Sequence, residues 1–344
     1  MLSALSRYFT AFVRWLSRAA TVALLAAAIP LGGDVPSSIL GTGRDLAIRD
    51  PFAEERLSFI VEIDGLDHPY RVASAFVLPG DRLALAVSSA PLDTRFRLAA
   101  VAGMTRSLGT NRWEWTAPAE PGLNPLAIVR EESGEMMRVN VFVMLPFSTA
   151  SEGSARGYLI GRYPPAPPRG HPIYRGPAGF IEVTADNENV LLSPHFRLKQ
   201  FVSRQPGGYP KYLVLRPELV AKLERLLERL HRRGIGARTL QVMSGYRTPR
   251  HNRALGAVPY SMHQWGGAAD VLIDDDGDGR MDDLDQDGVS DVRDAILLSQ
   301  IVDEMDRSEV DGHLIGGLGH YRATKVHGSF VHVDVRGFAV RWEG

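Results

Sequence analysis

Two side chains that can bind a metal ion lie seven positions apart in the segment SMHQWGGAAD: His263 and Asp270. Gly266 and Gly267 lie between them and allow the backbone to turn tightly, so that both side chains can converge on one point. Imidazole and carboxylate suit zinc, and three protein ligands with a fourth position left for water are typical of a catalytic zinc site. The pair therefore predicts a zinc centre that needs one more ligand.

His332 is the best third ligand. It lies in GSFVHVDVRG, where Phe330, Val331, Val333 and Val335 mark a strand that can carry the imidazole into the same pocket. Any one of the chain's 10 histidines alone would more often be a hydrogen-bonded core or surface residue. The combination of His263, Asp270 and His332 is what predicts the site. The absence of cysteine excludes thiolate ligands and a cysteine nucleophile.

A second set of metal ligands is predicted in the aspartate-rich stretch 274–294. Its residues match the EF-hand pattern twice, nine residues apart, with oxygen ligands and a glycine at the turn. The first copy contains Asp274, Asp276, Asp278, Gly279, Asp282 and Asp285, and the second contains Asp283, Asp285, Asp287, Gly288, Asp291 and Asp294. Because aspartate stands at position 12 and the loops overlap, the stretch resembles the tandem calcium loops of thrombospondin type 3 repeats. We expect structural Ca²⁺ here; a solvated acidic loop is the alternative.

The elements that must position the zinc ligands follow from periodicity. Pro217 begins a helix whose leucines share one face, with the charged residues mostly on the other face, and Gly234 ends it. The segment TLQVM at 239–243 is predicted to be a buried strand that leads into SGYRTP at 244–249. These features predict an α+β catalytic domain at 180–344, with a small antiparallel sheet that carries His332.

The region at 50–147 has a different pattern. Apolar residues alternate with polar ones and turn signals recur at short intervals, which predicts an all-β, immunoglobulin-like sandwich. Trp113 and Trp115 are interpreted as packing residues rather than a sugar platform. The Pro- and Gly-rich stretch 148–179 is predicted to be an extended linker.

The composition and the N-terminal segment indicate where in the cell the protein is located and which classes of partner it can bind. Residues 1–33 combine arginines with a short apolar run, which predicts a signal peptide or an uncleaved anchor. The run is shorter than the roughly 20 residues needed to cross a bilayer, which favours a signal peptide. Membrane contact is expected only through this segment, if it is uncleaved. With a formal net charge of -1 the chain has no basic field for nucleic acid. We expect a protein of the periplasm or cell envelope.

Three motifs, SGYRTPxxN, SMHxxGxAxD and FVHVDVRG, resemble the zinc D-Ala-D-Ala carboxypeptidase and murein endopeptidase family. The resemblance extends from about Ser193 to Trp342 and implies the fold shared by DD-peptidases and the hedgehog domain. It implies that His263, Asp270 and His332 bind Zn²⁺ and that Arg247 engages substrate.

The general base is not apparent from the motifs. Many members of the family have an acidic residue three positions before the last ligand, where this chain has Ser329. Asp334 lies two positions beyond His332, on the same strand face, and could orient that ligand or contact the zinc-bound water. His327 and His320 are further candidates for proton transfer, with solvated loop histidines as the alternative.

The predicted function is zinc-dependent hydrolysis of peptide bonds in peptidoglycan stem peptides or cross-links, by a carboxypeptidase or an endopeptidase. Two alternatives belong to other classes. One is a catalytically inactive module that binds peptidoglycan or metal, and the other is a calcium-stabilised structural protein of the envelope. Turnover of purified peptidoglycan distinguishes the predicted peptidase from both alternatives.

Overall fold

The computed structural model describes residue 52 and residues 54–91, 93–149, 153–164 and 170–344. Within these ranges the chain is mixed α/β, with many strands and few helices. No helix in the described ranges is long and apolar enough to cross a membrane. The predicted signal or anchor segment at 1–33 lies outside the described residues.

Nine strands form two sheets in the N-terminal part of the described chain. One sheet has the order β2-β1-β4-β7-β6 and the other has the order β3-β9-β8-β5, in which β3 runs parallel to β9. The strands are β1 (Arg56–Ile63), β2 (Leu66–Tyr70), β3 (Val72–Val77), β4 (Arg82–Ser89), β5 (Phe96–Ala100), β6 (Met104–Gly109), β7 (Arg112–Thr116), β8 (Gly122–Arg130) and β9 (Met136–Val143).

One apolar core is shared by these two sheets, and it is formed by residues of seven of the nine strands; β2 and β6 contribute none. Trp113 and Trp115 belong to this core and are 8% and 0% exposed, which agrees with their interpretation as packing residues. Trp115 also donates from Nε1 to the carbonyl of Ala102 at 2.8 Å. The immunoglobulin-like type of the sandwich stays a prediction.

The segment predicted to be a linker contains short strands where it is described. These are β11 (Ser154–Ala155) and β12 (Tyr158–Leu159). They lie between β10 (Leu145–Pro146) and β13 (Gly179–Val183), and β13 pairs with β14 (Lys211–Leu213). Tyr158 and Ile160 are buried in an apolar cluster with Phe180 and Tyr212. Tyr163 donates to the carbonyl of Gln264 at 2.9 Å. This segment therefore packs against the region of the predicted zinc ligands.

The C-terminal part contains a five-stranded sheet and three α-helices. The sheet has the order β15-β16-β18-β17-β19, antiparallel except for the parallel pair β17 and β19. The elements are α1 (Pro217–Arg232), β15 (Gln241–Ser244), α2 (Pro249–Ala254), β16 (Ala268–Leu272), α3 (Val292–Asp306), β17 (Gly317–Tyr321), β18 (Phe330–Asp334) and β19 (Val340–Glu343). The predicted helix from Pro217 and the predicted strand around His332 are both present.

Helix α1 contacts the core of the C-terminal part on one side and the N-terminal strands on another. Its leucines are buried with residues of α3 and β16 in one large core. On its charged face, Glu228 accepts a hydrogen bond of 2.6 Å from the hydroxyl of Tyr70 and pairs with Arg56. The described residues between 52 and 344 belong to one compact unit.

Candidate metal centre

The three predicted zinc ligands come from a turn and two neighbouring strands. Asp270 on β16 and His332 on β18 are direct partners in the antiparallel ladder, so both side chains lie on the same face of the sheet. His263 lies in a 3₁₀ turn, Met262–Trp265, which ends at Gly266 with φ of 63°. A Cβ atom at Gly266 would lie 2.2 Å from the carbonyl oxygen of Val214, so glycine is required there for both conformation and space.

The ligand atoms face a common point. Nε2 of His263 lies 3.1 Å from Oδ1 of Asp270 and 3.2 Å from Nδ1 of His332, and the latter two atoms are 2.9 Å apart. With metal–ligand bonds of about 2.0–2.1 Å, the ligands of a tetrahedral zinc ion are roughly 3.3 Å apart. All three residues are buried. The donor set and its spacing therefore fit zinc.

The imidazole nitrogens that face away from this point are also engaged. Nδ1 of His263 donates to the carbonyl of Gly245 at 2.6 Å, which leaves Nε2 for a metal. Nε2 of His332 lies 3.3 Å from Oδ2 of Asp334, which leaves Nδ1 for a metal. Such contacts set the tautomer and the orientation of a ligating histidine.

The pKa shifts of His263 and Asp270 favour the forms that bind a metal, whereas the shift of His332 favours its protonated form. Burial lowers the pKa of His263, and the neighbouring Asp270 only partly offsets this effect. Burial raises the pKa of Asp270, but the charges and hydrogen bonds of His263 and His332 outweigh it and hold the pKa well below its usual range. Burial lowers the pKa of His332, but its hydrogen bonds to Asp270 and Asp334 outweigh burial and raise it. A neutral His263 and an ionised Asp270 are the forms that ligate a metal.

Asp334 is fully enclosed by hydrogen-bond donors. Its Oδ1 accepts from the backbone N–H of Gly317 at 2.6 Å, and both oxygens accept from Nε of Arg336 at 3.0 and 2.9 Å. Burial raises the pKa of Asp334, but the hydrogen bonds from His332 and Arg336 outweigh burial and hold the pKa below its usual range. The ionised form of Asp334 is thus favoured, and its Oδ2 lies beside Nε2 of His332. Arg336 was missed from sequence, although its position two residues after Asp334 was a usable signal.

Arg247 lies beside the ligands. Its Nε donates to the hydroxyl of Ser244 at 2.8 Å, and its Nη2 pairs with Oδ2 of Asp270, the oxygen that does not face the two histidines. Arg247 therefore contacts the carboxylate of one predicted zinc ligand, a contact that the motif alone did not suggest.

The two further histidines differ in placement. His320 is the ladder partner of Val331, so it lies on the face of the sheet opposite to His332. His327 lies in the loop before β18, where its Nδ1 is 2.8 Å from the carbonyl oxygen of Gly328 and its ring contacts Phe330. The buried hydroxyl of Ser329 has no hydrogen-bond partner within the described part of the chain.

The acidic stretch forms two loops with equivalent hydrogen bonds. Gly279 donates its backbone N–H to Asp274, and nine residues later Gly288 donates to Asp283 in the same way. Each loop brings three aspartates within 4.8 Å of one another: Asp274, Asp276 and Asp282 in the first, and Asp283, Asp285 and Asp294 in the second. Asp285, which the pattern assigns to both loops, is thus grouped only with the second.

The remaining predicted calcium ligands have other partners. Asp278 accepts from the backbone of Arg280 at 2.8 Å, and Asp287 pairs with Arg293 at 2.5 Å. Asp291 caps α3 by accepting from the backbone N–H of Arg293 at 2.7 Å. Partial burial, together with the nearby carboxylates, raises the pKa of Asp282. Negative charge in the first loop is therefore incompletely compensated by the protein itself.

The comparisons with known proteins bear on the same region. The sequence model of the family described as Peptidase M15 matches residues 196–286, about a quarter of the chain, which include His263 and Asp270 but end before His332. This match makes the segment similar to Peptidase M15 and suggests, at the level of that family, a zinc metallopeptidase. No curated protein matches the chain.

Two solved structures show local similarity. One is a nucleoside hydrolase-related hypothetical protein from Saccharophagus degradans, with 12% identity over 26% of this chain and 26% of that chain and a TM-score of 0.20. The other is an LD transpeptidase, LdtMt1, in complex with imipenem, with 10% identity over 25% of this chain and 40% of that chain and a TM-score of 0.15. The chain spans less than two thirds of either protein, and both TM-scores are too low to indicate a common fold.

Proposed function

We propose that this chain is an exported zinc-dependent peptidase that cleaves peptide bonds in peptidoglycan stem peptides or cross-links. The observation that carries the proposal is the convergence of His263, Asp270 and His332, with ligand atoms 2.9–3.2 Å apart. The match to Peptidase M15 over residues 196–286 supports the same class of chemistry.

The residues around the site have distinct tasks in this proposal. His263 Nε2, Asp270 Oδ1 and His332 Nδ1 hold the zinc ion, which when bound polarises the scissile carbonyl and lowers the pKa of a coordinated water. Asp334 orients His332 through Nε2. Arg247, at the edge of the centre, offers its guanidinium to a substrate carboxylate or carbonyl.

Calcium is the second metal of the proposal. The two loops repeat the same glycine-to-aspartate hydrogen bonds, and each groups three carboxylates that suit a hard cation. The first loop is joined to the residue that follows β16, because Asp282 donates its backbone N–H to the carbonyl of Ile273 at 2.8 Å. Calcium there would stabilise the strand that carries Asp270.

Purified peptidoglycan tests the function. Protein loaded with zinc is incubated with wall fragments, and the products are identified by mass spectrometry, with His263→Ala as the matched control. We expect release of stem-peptide fragments or opened cross-links by the wild-type protein alone. Retention of wall fragments without cleavage would favour the inactive binding module, and neither binding nor cleavage would favour the structural protein.

A further inference from the structure

The metal ligands continue into a row of residues across the sheet. Asp270 pairs with His332, His332 pairs with Gly319, and Gly319 pairs with Trp342 on β19. Residues that are direct partners in a ladder point to the same face. The side chain of Trp342 therefore lies on the face of the zinc ligands, two strands away from His332.

Gly319 allows the indole of Trp342 to reach across β17. A Cβ atom at Gly319 would lie 2.3 Å from Nε1 of Trp342, so the indole occupies the space that any other residue would fill. The ring of Trp342 thereby comes to 5.1 Å from the ring of His332, between centroids, at an interplanar angle of 50°. This is contact distance for two aromatic rings.

The indole is held by its neighbours. Its Nε1 donates to the hydroxyl of Tyr321 at 2.7 Å, and the ring of Tyr321 stacks on Phe330 with centroids 4.5 Å apart. The guanidinium of Arg336, which binds Asp334, lies 5.8 Å from the centre of the Trp342 ring. The ring that contacts His332 is therefore anchored on two sides.

We propose that Trp342 is a positioning residue for the zinc centre, which holds the imidazole of His332 with Nδ1 toward Asp270 and His263. The inference rests on the proposed zinc site. The two nitrogens of His332 are held by Asp270 and Asp334. The rest of the imidazole ring is held by packing against the ring of Trp342.

The test measures zinc affinity by competition with a chromogenic chelator and requires no substrate. Trp342→Ala is expected to weaken zinc binding by roughly 10-fold to 100-fold, the range for partners that orient metal ligands. Trp342→Phe keeps a ring beside His332 and is expected to retain most of the affinity. Glu343→Ala is the matched control, because this neighbour on β19 pairs with His320 on the other face and its side chain is 80% exposed.

Two further measurements separate positioning from folding. Thermal unfolding of the metal-free variants reports the fold, and Trp342→Leu replaces Trp342→Ala if the latter does not fold. The absorption spectrum of the Co²⁺-loaded protein reports ligand geometry, and we expect it to change in Trp342→Ala or Trp342→Leu but not in Glu343→Ala. Wild-type zinc affinity and an unchanged cobalt spectrum in a folded variant that lacks the ring would overturn the inference. Absence of zinc binding by the wild-type protein would instead refute the proposed function itself.

Discussion

Oδ1 of Asp270 lies 2.9 Å from Nδ1 of His332, because the two residues face each other across strands β16 and β18. They are 62 positions apart in the chain. Between them lie both acidic loops, helix α3 and strand β17. The candidate metal centre therefore depends on the register of one strand pair, and a slip of one residue would turn His332 to the opposite face.

The first prediction concerns the metal. The purified protein is expected to bind about one zinc ion per chain at this site, and His263→Ala is expected to abolish turnover without unfolding the chain. Metal analysis and circular dichroism check both statements. His320→Ala is the control, since His320 lies on the other face of the sheet and its loss should leave zinc content unchanged. Wild-type turnover by His263→Ala would remove this residue from the site.

The second prediction concerns Asp334. Asp334→Asn keeps the size of the side chain but weakens its hold on His332 and Arg336, so we expect turnover to fall by roughly 10-fold to 100-fold. Steady-state kinetics on wall fragments measure this loss, with His327→Asn as the comparison. Unchanged turnover in Asp334→Asn together with a loss in His327→Asn would transfer the role to His327.

The third prediction concerns calcium. The stretch 274–294 contains 10 aspartates, and a cation that binds only the ordered loops must raise the unfolding temperature by mass action. Thermal unfolding of zinc-loaded protein with Ca²⁺ and with a calcium-selective chelator measures the shift. Asp276→Ala with Asp285→Ala removes one ligand from each loop and should abolish most of it, whereas Glu309→Ala, an exposed acid outside the loops, should not. Equal midpoints and no heat of calcium binding would show a solvated loop.

The fourth prediction separates two reasons for glycine at Gly266, which follows the turn that carries His263: a positive φ and a lack of space for a Cβ atom. Gly266 and Gly256 have similar φ values of 63° and 62°, but only Gly266 lacks room for a Cβ atom. Gly256→Ala should cost about 1 kcal/mol from the backbone conformation alone. Gly266→Ala should cost roughly 1–3 kcal/mol more, because the added methyl group collides with the backbone of Val214, and should also weaken zinc binding. Chemical denaturation and zinc titration of both variants test this, and equal losses would contradict it.

The fifth prediction concerns pH. Burial and the nearby Arg225 lower the pKa of His68 from 6.5 to about 4. Between these two pH values the unfolded chain binds a proton at His68 more readily than the folded chain does. The stabilisation of the fold that depends on neutral His68 is therefore complete above pH 6.5 and is lost as the pH falls toward 4. His68→Gln should reduce the loss of stability between pH 7 and pH 5 by roughly 1 kcal/mol or more. Identical pH dependence of urea unfolding in the two proteins would show that His68 does not titrate in this way.

Local patterns in the sequence predicted much of the secondary structure. The alternation of apolar residues predicted strands between Arg56 and Leu145, and the leucine spacing after Pro217 predicted α1. Both patterns follow from the period of the backbone, two residues in a strand and 3.6 in a helix, which is a local property. The types and spacing of His263, Asp270 and His332 likewise predicted which side chains meet, since few residue types ligate zinc.

Tertiary structure decided the contacts that depend on strand order and register. Only the ladder places Trp342 over Gly319 and against His332, and only the packing around β16 pairs Arg247 with Asp270. The grouping of Asp285 with Asp294 depends in the same way on how the second loop folds onto α3. These residues are neighbours in space because separate elements dock at one register, and a periodic sequence pattern contains no information about which elements become neighbours.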